Sequence, residues 1–235
     1  MYEAPAIRGG LVMSAIHPVH PPVEAVVFDV GKVLIEWDMR LLFAKLIDDE
    51  ERLDWFLANV VTQDWHFEHD AGRELAEMVA ARKAEFPGHD ALLDAYATRF
   101  AETIPGNIPG SHEIVRELAG NGVPLFAITN FASPFWHGYR AGESLFDLFR
   151  DIVVSGDEKI AKPDPRIFDL ACRRFGHAPA AMLFIDDNAA NIASARALGW
   201  QVHHFHDAEA LRADLAARGL LRPETADHAA AAVAE

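Results

Sequence analysis

Cysteine, positive charge and long apolar runs are all scarce in this sequence. Among 235 residues there is a single cysteine, Cys172, which excludes an internal disulfide and a zinc site built from cysteine thiolates. Its helix-like surroundings mark it as an inert, half-buried thiol. Lys and Arg number 21 against 36 Asp and Glu, a formal net charge of −15. Such a deficit argues against binding nucleic acid or an anionic membrane surface through bulk electrostatics. An anionic substrate would then need local positive charge, from a few lysines or a metal. No apolar run approaches the ~20 residues of a membrane span. The N-terminus lacks the basic start and apolar stretch of a signal peptide, so a cytoplasmic location is expected.

What is present is a large apolar fraction, 51% of residues. It suffices for one large domain, or for a domain carrying a smaller insert. Residues 1–22, with Gly9-Gly10, His17-Pro18 and Pro21-Pro22, read as a loose leader in which Met13 is an alternative start to Met1. Residues 221–235, ending "ADHAAAAVAE", read as a flexible tail.

Between these ends, strand-like runs alternate with helical patterns. The runs are "VEAVVFD" (23–29), "VPLFAIT" (123–129), "DIVVS" (151–155), "MLFID" (182–186) and "QVHHF" (201–205). Helical segments separate the later ones, which predicts an α/β fold, a doubly wound parallel sheet covered on both faces. About 90 residues separate the first two runs, far more than one crossover helix needs. That stretch reads as helical almost throughout: Leu53, Phe56, Leu57 and Val60 share a face, as do Leu75, Met78, Val79 and Phe86, and a third helix surrounds Leu92, Leu93, Tyr96 and Phe100. The expected organisation is a core of residues 23–37 and 107–220, with an inserted helical cap over 38–106.

In an open parallel sheet, ligands bind beyond the carboxyl ends of the strands. Those ends carry Asp29, Thr129-Asn130 and Asp186-Asp187, and the loop "SGDEKIAKPDP" brings Lys162 to the same edge. Taken singly, each set has an ordinary explanation in turn or cap chemistry. Together they describe a site. Two carboxylates about 4 Å apart repel by roughly 4 kcal/mol at an effective dielectric of ~20. Convergence of Asp29, Asp186 and Asp187 therefore calls for protonation, a lysine or a hard divalent cation, and oxygen donors of this kind suit Mg²⁺.

The motifs "FDVGKVL", "ITN", "KIAKPDPRIF" and "LFIDDNAANIASARALG", in that order and strand context, resemble those of the haloacid dehalogenase-like hydrolase superfamily. The resemblance covers roughly residues 23–206, and the helical insert sits where that family carries its first type of cap. It implies a nucleophilic Asp29 that forms an aspartyl-phosphate, and Mg²⁺ held by Asp29, Asp186 and the backbone carbonyl of Gly31. Asp187 would hold a metal-bound water or the lysine. Thr129, the backbone near Asn130 and Lys162 would bind and neutralise the phosphoryl group.

Gly31 departs from the pattern. Phosphatases of the superfamily usually carry a second aspartate there, the general acid and base, and a glycine moves no proton. General acid–base catalysis typically contributes 10²–10⁴-fold. One reading is a phosphatase of the D-x-G type, acting on a small phosphorylated metabolite such as a sugar phosphate, with His66 and His69 as candidate proton donors. A second is a 2-haloacid dehalogenase, in which Asp29 attacks carbon and the departing halide needs no proton. Arg40, Arg52 and Arg73 are then candidates, by location, for holding halide and carboxylate. A third is a non-catalytic ligand-binding or regulatory protein, against which the retention of Asp29, Thr129, Lys162 and Asp186 counts.

Trp37, Trp65 and Trp136 are expected near the mouth of the site, either stacking on a sugar ring or packing between domains. "HHFH" (203–206) spans a strand whose residues alternate faces, and "HFEH" (66–69) lacks the i, i+4 spacing of a two-histidine zinc helix; neither reads as a zinc site. The expected partner is a small anionic molecule, handled by a monomer or homodimer. Closure of the cap is expected to hinge near Trp37-Asp38 and Pro105–Gly110.

Overall fold

Apolar runs as uninterrupted as "AVVF" are stable only when both faces of the strand are covered, and the computed structural model, which describes residues 21–222, shows how that is met. The five runs form β1 (Ala25–Phe28), β2 (Leu125–Thr129), β3 (Asp151–Val154), β4 (Met182–Asp186) and β5 (Gln201–His204). They pair in the order β3-β2-β1-β4-β5, each pair parallel. Residues 1–20 of the leader, Met13 among them, and nearly all of the tail lie outside the described residues. No helix among the described residues is long and apolar enough to cross a membrane.

Successive residues of β1 feed opposite layers, as a pleat of period two requires. Val26 and Phe28 join the larger apolar cluster, while Ala25 and Val27 join the smaller. The smaller layer is closed by α9 (Pro165–Phe175), through Ile167, Phe168 and Ala171, and by α10 (Ala189–Ala197), through Ile192 and Ala195. On the larger side lie α6 (Ser111–Gly120), with Ile114, Val115 and Leu118, and α11 (Ala208–Ala217), with Leu211 and Leu215. Each fully buried side chain of this size stabilises the fold by about 1.5–3 kcal/mol relative to exposure.

Between β1 and β2 come α1 (Met39–Phe43), α2 (Glu50–Asn59), α3 (Gln63–Asp70), α4 (Leu75–Glu85) and α5 (Asp90–Arg99). Polar caps start the first three: Asp38 accepts from the Arg40 amide, Asp49 from Arg52 and Thr62 from Trp65. Their apolar faces, among them Leu53, Phe56, Met78, Leu93 and Tyr96, belong to the same cluster as the sheet. The two strands of chain that lead into and out of these helices are tied together, the Glu36 amide donating to the Gly106 carbonyl and the Asp38 amide to Thr103 at 2.9 Å each. The short helices α7 (Ser133–Arg140) and α8 (Ser155–Glu158) follow β2 and β3. Thus the first residues of "SGDEKIAKPDP" form a helical turn, where a continuous loop was expected.

Candidate active site

Asp29, Thr129 and Asp186 stand at the ends of three adjacent strands, and the order of the sheet reverses at β1, where an open parallel sheet forms its crevice. Pro165 at the first turn of α9 and Asp164 as its cap fix where that helix begins, just beyond Lys162. The Lys162 side chain is fully buried. Its Nζ lies 2.7 Å from Asp29 Oδ1 and 2.8 Å from Asp186 Oδ2. Asp186, also fully buried, accepts further from the Asn188 amide at 2.7 Å and from Asn191 Nδ2 at 3.0 and 3.1 Å. Asn188 meanwhile caps α10.

Asn130 has a structural use for both of its side-chain polar atoms. Its Oδ1 accepts from the Lys162 amide at 2.8 Å and its Nδ2 donates to the Lys162 carbonyl at 2.9 Å. The side chain therefore sets the lysine's backbone, which leaves the main chain near Asn130 for any contact with substrate. Thr129, fully buried, has a hydroxyl without a hydrogen-bond partner. An orphaned buried hydroxyl is costly, and such groups mark places where a ligand oxygen can complete the bonding.

Asp29, Asp186 and Asp187 each offer an oxygen, and these oxygens lie within 4.8 Å of one another. Burial pushes Asp29 up to about 8, opposed by Lys162 and reinforced by Asp186 and Asp187. Asp187 is pushed up by burial and by Asp186, with Lys32 and Lys162 pulling it back. Burial alone would lower Lys162, yet Asp186 and Asp29 hold it above its ordinary value and charged. One ammonium in contact with two of three clustered carboxylates leaves the set short of positive charge. Its all-oxygen donors fit a hard divalent cation such as Mg²⁺.

Asp29 and Asp187, though not the fully buried Asp186, face a cavity of about 350 Å³. Asp29, Gly31, Asn130 and Asp187 line its floor; Trp37, His66, Phe67, Asp70 and Phe100 come down on it from above. Lys162 and Thr129 are not among the lining residues. Gly31 does not adopt the left-handed conformation that favours glycine, and a Cβ built on it meets nothing within 4 Å. Neither strain nor crowding explains the missing carboxylate.

His66 reaches the cavity but is held there as a neutral ring. Its imidazole stacks between Trp37 and Phe100, at centroid distances of 5.0 and 5.5 Å, and Nδ1 meets the Tyr96 hydroxyl at 2.7 Å. Burial, with His69 nearby, pushes it down to about 3. His69 does not reach the cavity: its Nδ1 donates to the Arg73 carbonyl at 2.8 Å and its ring stands edge-on to Phe135. Trp37 lines the cavity, whereas Trp65 is buried against Tyr96, and Trp136 is buried between Phe131 and Phe146. The three arginines considered for halide and carboxylate do not line it either. Arg40 pairs with Glu50 and Asp54, Arg73 pairs with Glu68, and Arg52 is exposed on α2. Along "HHFH", His203 turns to Asp214 of α11, while His204 Nε2 donates to the Asp187 carbonyl at 2.9 Å.

Sequence reasoning passed over Asp70 and Asn191. Asp70 lies four residues after His66, on the same face of α3, so the helical period carried a signal for it. Asn191 lies five residues after Asp186, and the turn at Asn188 brings it back to that carboxylate.

Residues 23–199 match the family described as haloacid dehalogenase-like hydrolase. Sesquiterpene phosphatase astK of Aspergillus oryzae is 26% identical over 193 residues, covering 78% of this chain and 90% of that protein. Phosphoglycolate phosphatase of Yersinia pseudotuberculosis is 30% identical over 131 residues, where the match spans 56% of this chain and only 54% of the relative. Among solved structures, HAD family enzyme bt-2542 of Bacteroides thetaiotaomicron, in complex with magnesium and inorganic phosphate, superposes with a TM-score of 0.62 at 18% identity, over 79% of this chain and 95% of that one. L-2-haloacid dehalogenase of Xanthobacter autotrophicus gives 0.58 at 19% identity, over 86% and 85%. At such identities the structural likenesses speak for the fold. With the family match running from the first strand past the last acidic motif, this chain belongs to the haloacid dehalogenase-like hydrolases, enzymes whose relatives here include phosphatases.

Proposed function

We propose that the protein is a Mg²⁺-dependent phosphomonoester hydrolase that acts on a small phosphorylated metabolite through an aspartyl-phosphate on Asp29. The observation that carries this reading is the trio of carboxylates within 4.8 Å at the sheet edge, with Lys162 bonded to two of them. Asp29 and Asp186, the Gly31 carbonyl and, directly or through water, Asp187 would hold the cation, which when bound supplies positive charge to the phosphoryl oxygens. Asp29 attacks phosphorus. Lys162 neutralises the nucleophile and the transferring group, and the Thr129 hydroxyl donates to a phosphoryl oxygen, a kind of contact commonly worth ~10²–10³-fold in rate. Trp37 borders the leaving group. The phosphatases among the relatives support this assignment, and so does the complex of bt-2542 with magnesium and phosphate.

Dehalogenation fits less well, because no arginine lines the cavity to hold halide and carboxylate. A paired release assay tests both. Phosphate is followed from a panel of phosphomonoesters and halide from 2-haloacids, each with Mg²⁺ and with chelator, and Asp29→Asn serves as control. Metal-dependent phosphate release that is lost in the variant is the expected result. Metal-independent halide release would replace the phosphatase reading with the dehalogenase one.

A further inference from the structure

The general acid that Gly31 cannot supply has a candidate in the opposite wall of the cavity. Asp70, at the end of α3, lines the same space as Asp29 and Gly31 and is 7% exposed. Its Oδ1 is buried with no hydrogen-bond partner, and its Oδ2 lies 3.3 Å from His66 Nε2. No ion pair links it to a lysine or arginine among the described residues. Its backbone carbonyl accepts from the Ser155 hydroxyl at 2.5 Å, which pins this end of the helix to the sheet domain. A buried structural carboxylate is normally paired with a cation or saturated with donors. Asp70 is neither.

We propose that Asp70 is a catalytic residue, giving its proton to the leaving oxygen and then taking one from the attacking water, in the place that Gly31 leaves vacant. This rests on the phosphatase reading above. A carboxyl without a cation is kept neutral by its surroundings, and burial pushes Asp70 up to about 7, with the Ala132 amide pulling it back. The groups facing it favour the neutral acid. His66 on its own helix is uncharged. Tyr96 of α5 is held well above its ordinary value by burial and by Asp70 itself. Asp64 and, from the sheet edge, Asp29 and Asp187 share the cavity, as does Lys32.

In the first step an Asp29 oxygen bonds to phosphorus and the bond from phosphorus to the ester oxygen breaks, the departing electron pair taking the Asp70 proton. In the second, water adds to phosphorus and gives a proton to the Asp70 carboxylate. The bond between phosphorus and Asp29 breaks, phosphate leaves, and both acids regain their starting states.

The test compares kcat/KM on a primary alkyl phosphate, whose leaving oxygen needs a proton, with that on p-nitrophenyl phosphate, whose leaving group does not. Asp70→Asn should raise the preference for the nitrophenyl ester by ~10²–10⁴-fold, the usual worth of a general acid. Because a side chain at Gly31 meets no neighbour within 4 Å, Gly31→Asp placed on the Asp70→Asn background should restore much of the alkyl activity. Equal losses on both esters, with no recovery on adding Gly31→Asp, would reduce Asp70 to a structural role and overturn the assignment while leaving the phosphatase reading intact. Release of phosphate from neither ester by the unaltered protein would instead overturn the phosphatase reading, and this proposal with it.

Discussion

The floor and the roof of the cavity each hold buried acids, and they hold them by opposite means. On the floor, Asp29 and Asp186 share the fully buried ammonium of Lys162, and Asp186 collects donors from Asn188 and Asn191 as well. In the roof, Asp70 has a neutral imidazole beside it and no cation in contact. On the floor, Lys162 works against the burial that pushes Asp29 up to about 8, and the carboxylates remain short of the positive charge that a cation would supply to them and to a phosphoryl group. Charge in the roof is suppressed by desolvation, which keeps a proton available near neutral pH. The two walls divide the labour of phosphate transfer between electrostatics and proton supply, and several substitutions would break or sharpen that division.

The largest effect is expected at the nucleophile. Asp29→Asn should reduce phosphate release to the uncatalysed background, measured on whichever phosphomonoester the native protein turns over best. Lys162→Met comes next and should damage activity and fold together. It leaves the two acids uncompensated, and breaking a buried pair in this way typically costs about 3–5 kcal/mol, readable as a lower midpoint in urea denaturation.

Thr129→Val separates function from stability on the floor. The shapes match and the lost hydroxyl has no protein partner, so stability should hold or rise slightly. Steady-state kinetics should show kcat reduced by ~10²-fold or more if the hydroxyl meets a phosphoryl oxygen. In the roof, pH is the sharper tool. The raised value of Asp70 means that its contribution to stability is complete below the ordinary carboxylate range and is lost as pH rises through about 7. For His66, a base pushed down to about 3, the contribution is present above the ordinary imidazole range and is lost as pH falls towards 3. Thermal unfolding followed across pH should show both slopes, and Asp70→Asn should remove its share of the one near neutrality, leaving the share of Asp29, which is pushed up to about 8. The smallest effect belongs to His69→Gln, which should leave catalysis untouched, because that ring serves the end of α3 and not the cavity.

Much of the floor was legible in the sequence because each of its residues sits at a fixed place relative to a strand. "AVVF" and "MLFI" carry no polar interruption, and the first polar residue after each, Asp29 or Asp186, necessarily emerges at the carboxyl edge. A parallel sheet then brings those edges together. The roof was legible only in outline. The apolar faces of α2, α4 and α5 announce helices, but a helical face does not say which polar residue it will turn towards the sheet edge. His66 and His69 looked equivalent by spacing, yet one is stacked between Trp37 and Phe100 over the cavity and the other is spent on the Arg73 carbonyl.

The sequence by itself determined the strands, the family motifs and the identity of the acids at the sheet edge, since burial on both faces and strand periodicity are local demands that each segment declares alone. Tertiary structure alone decided that Asp70 lines the same cavity as Gly31, that Asn130 serves the backbone of Lys162, and which acids burial favours in the protonated form. Those outcomes depend on desolvation and on the distance to the nearest cation, and both arise only when segments remote in the chain are packed against one another.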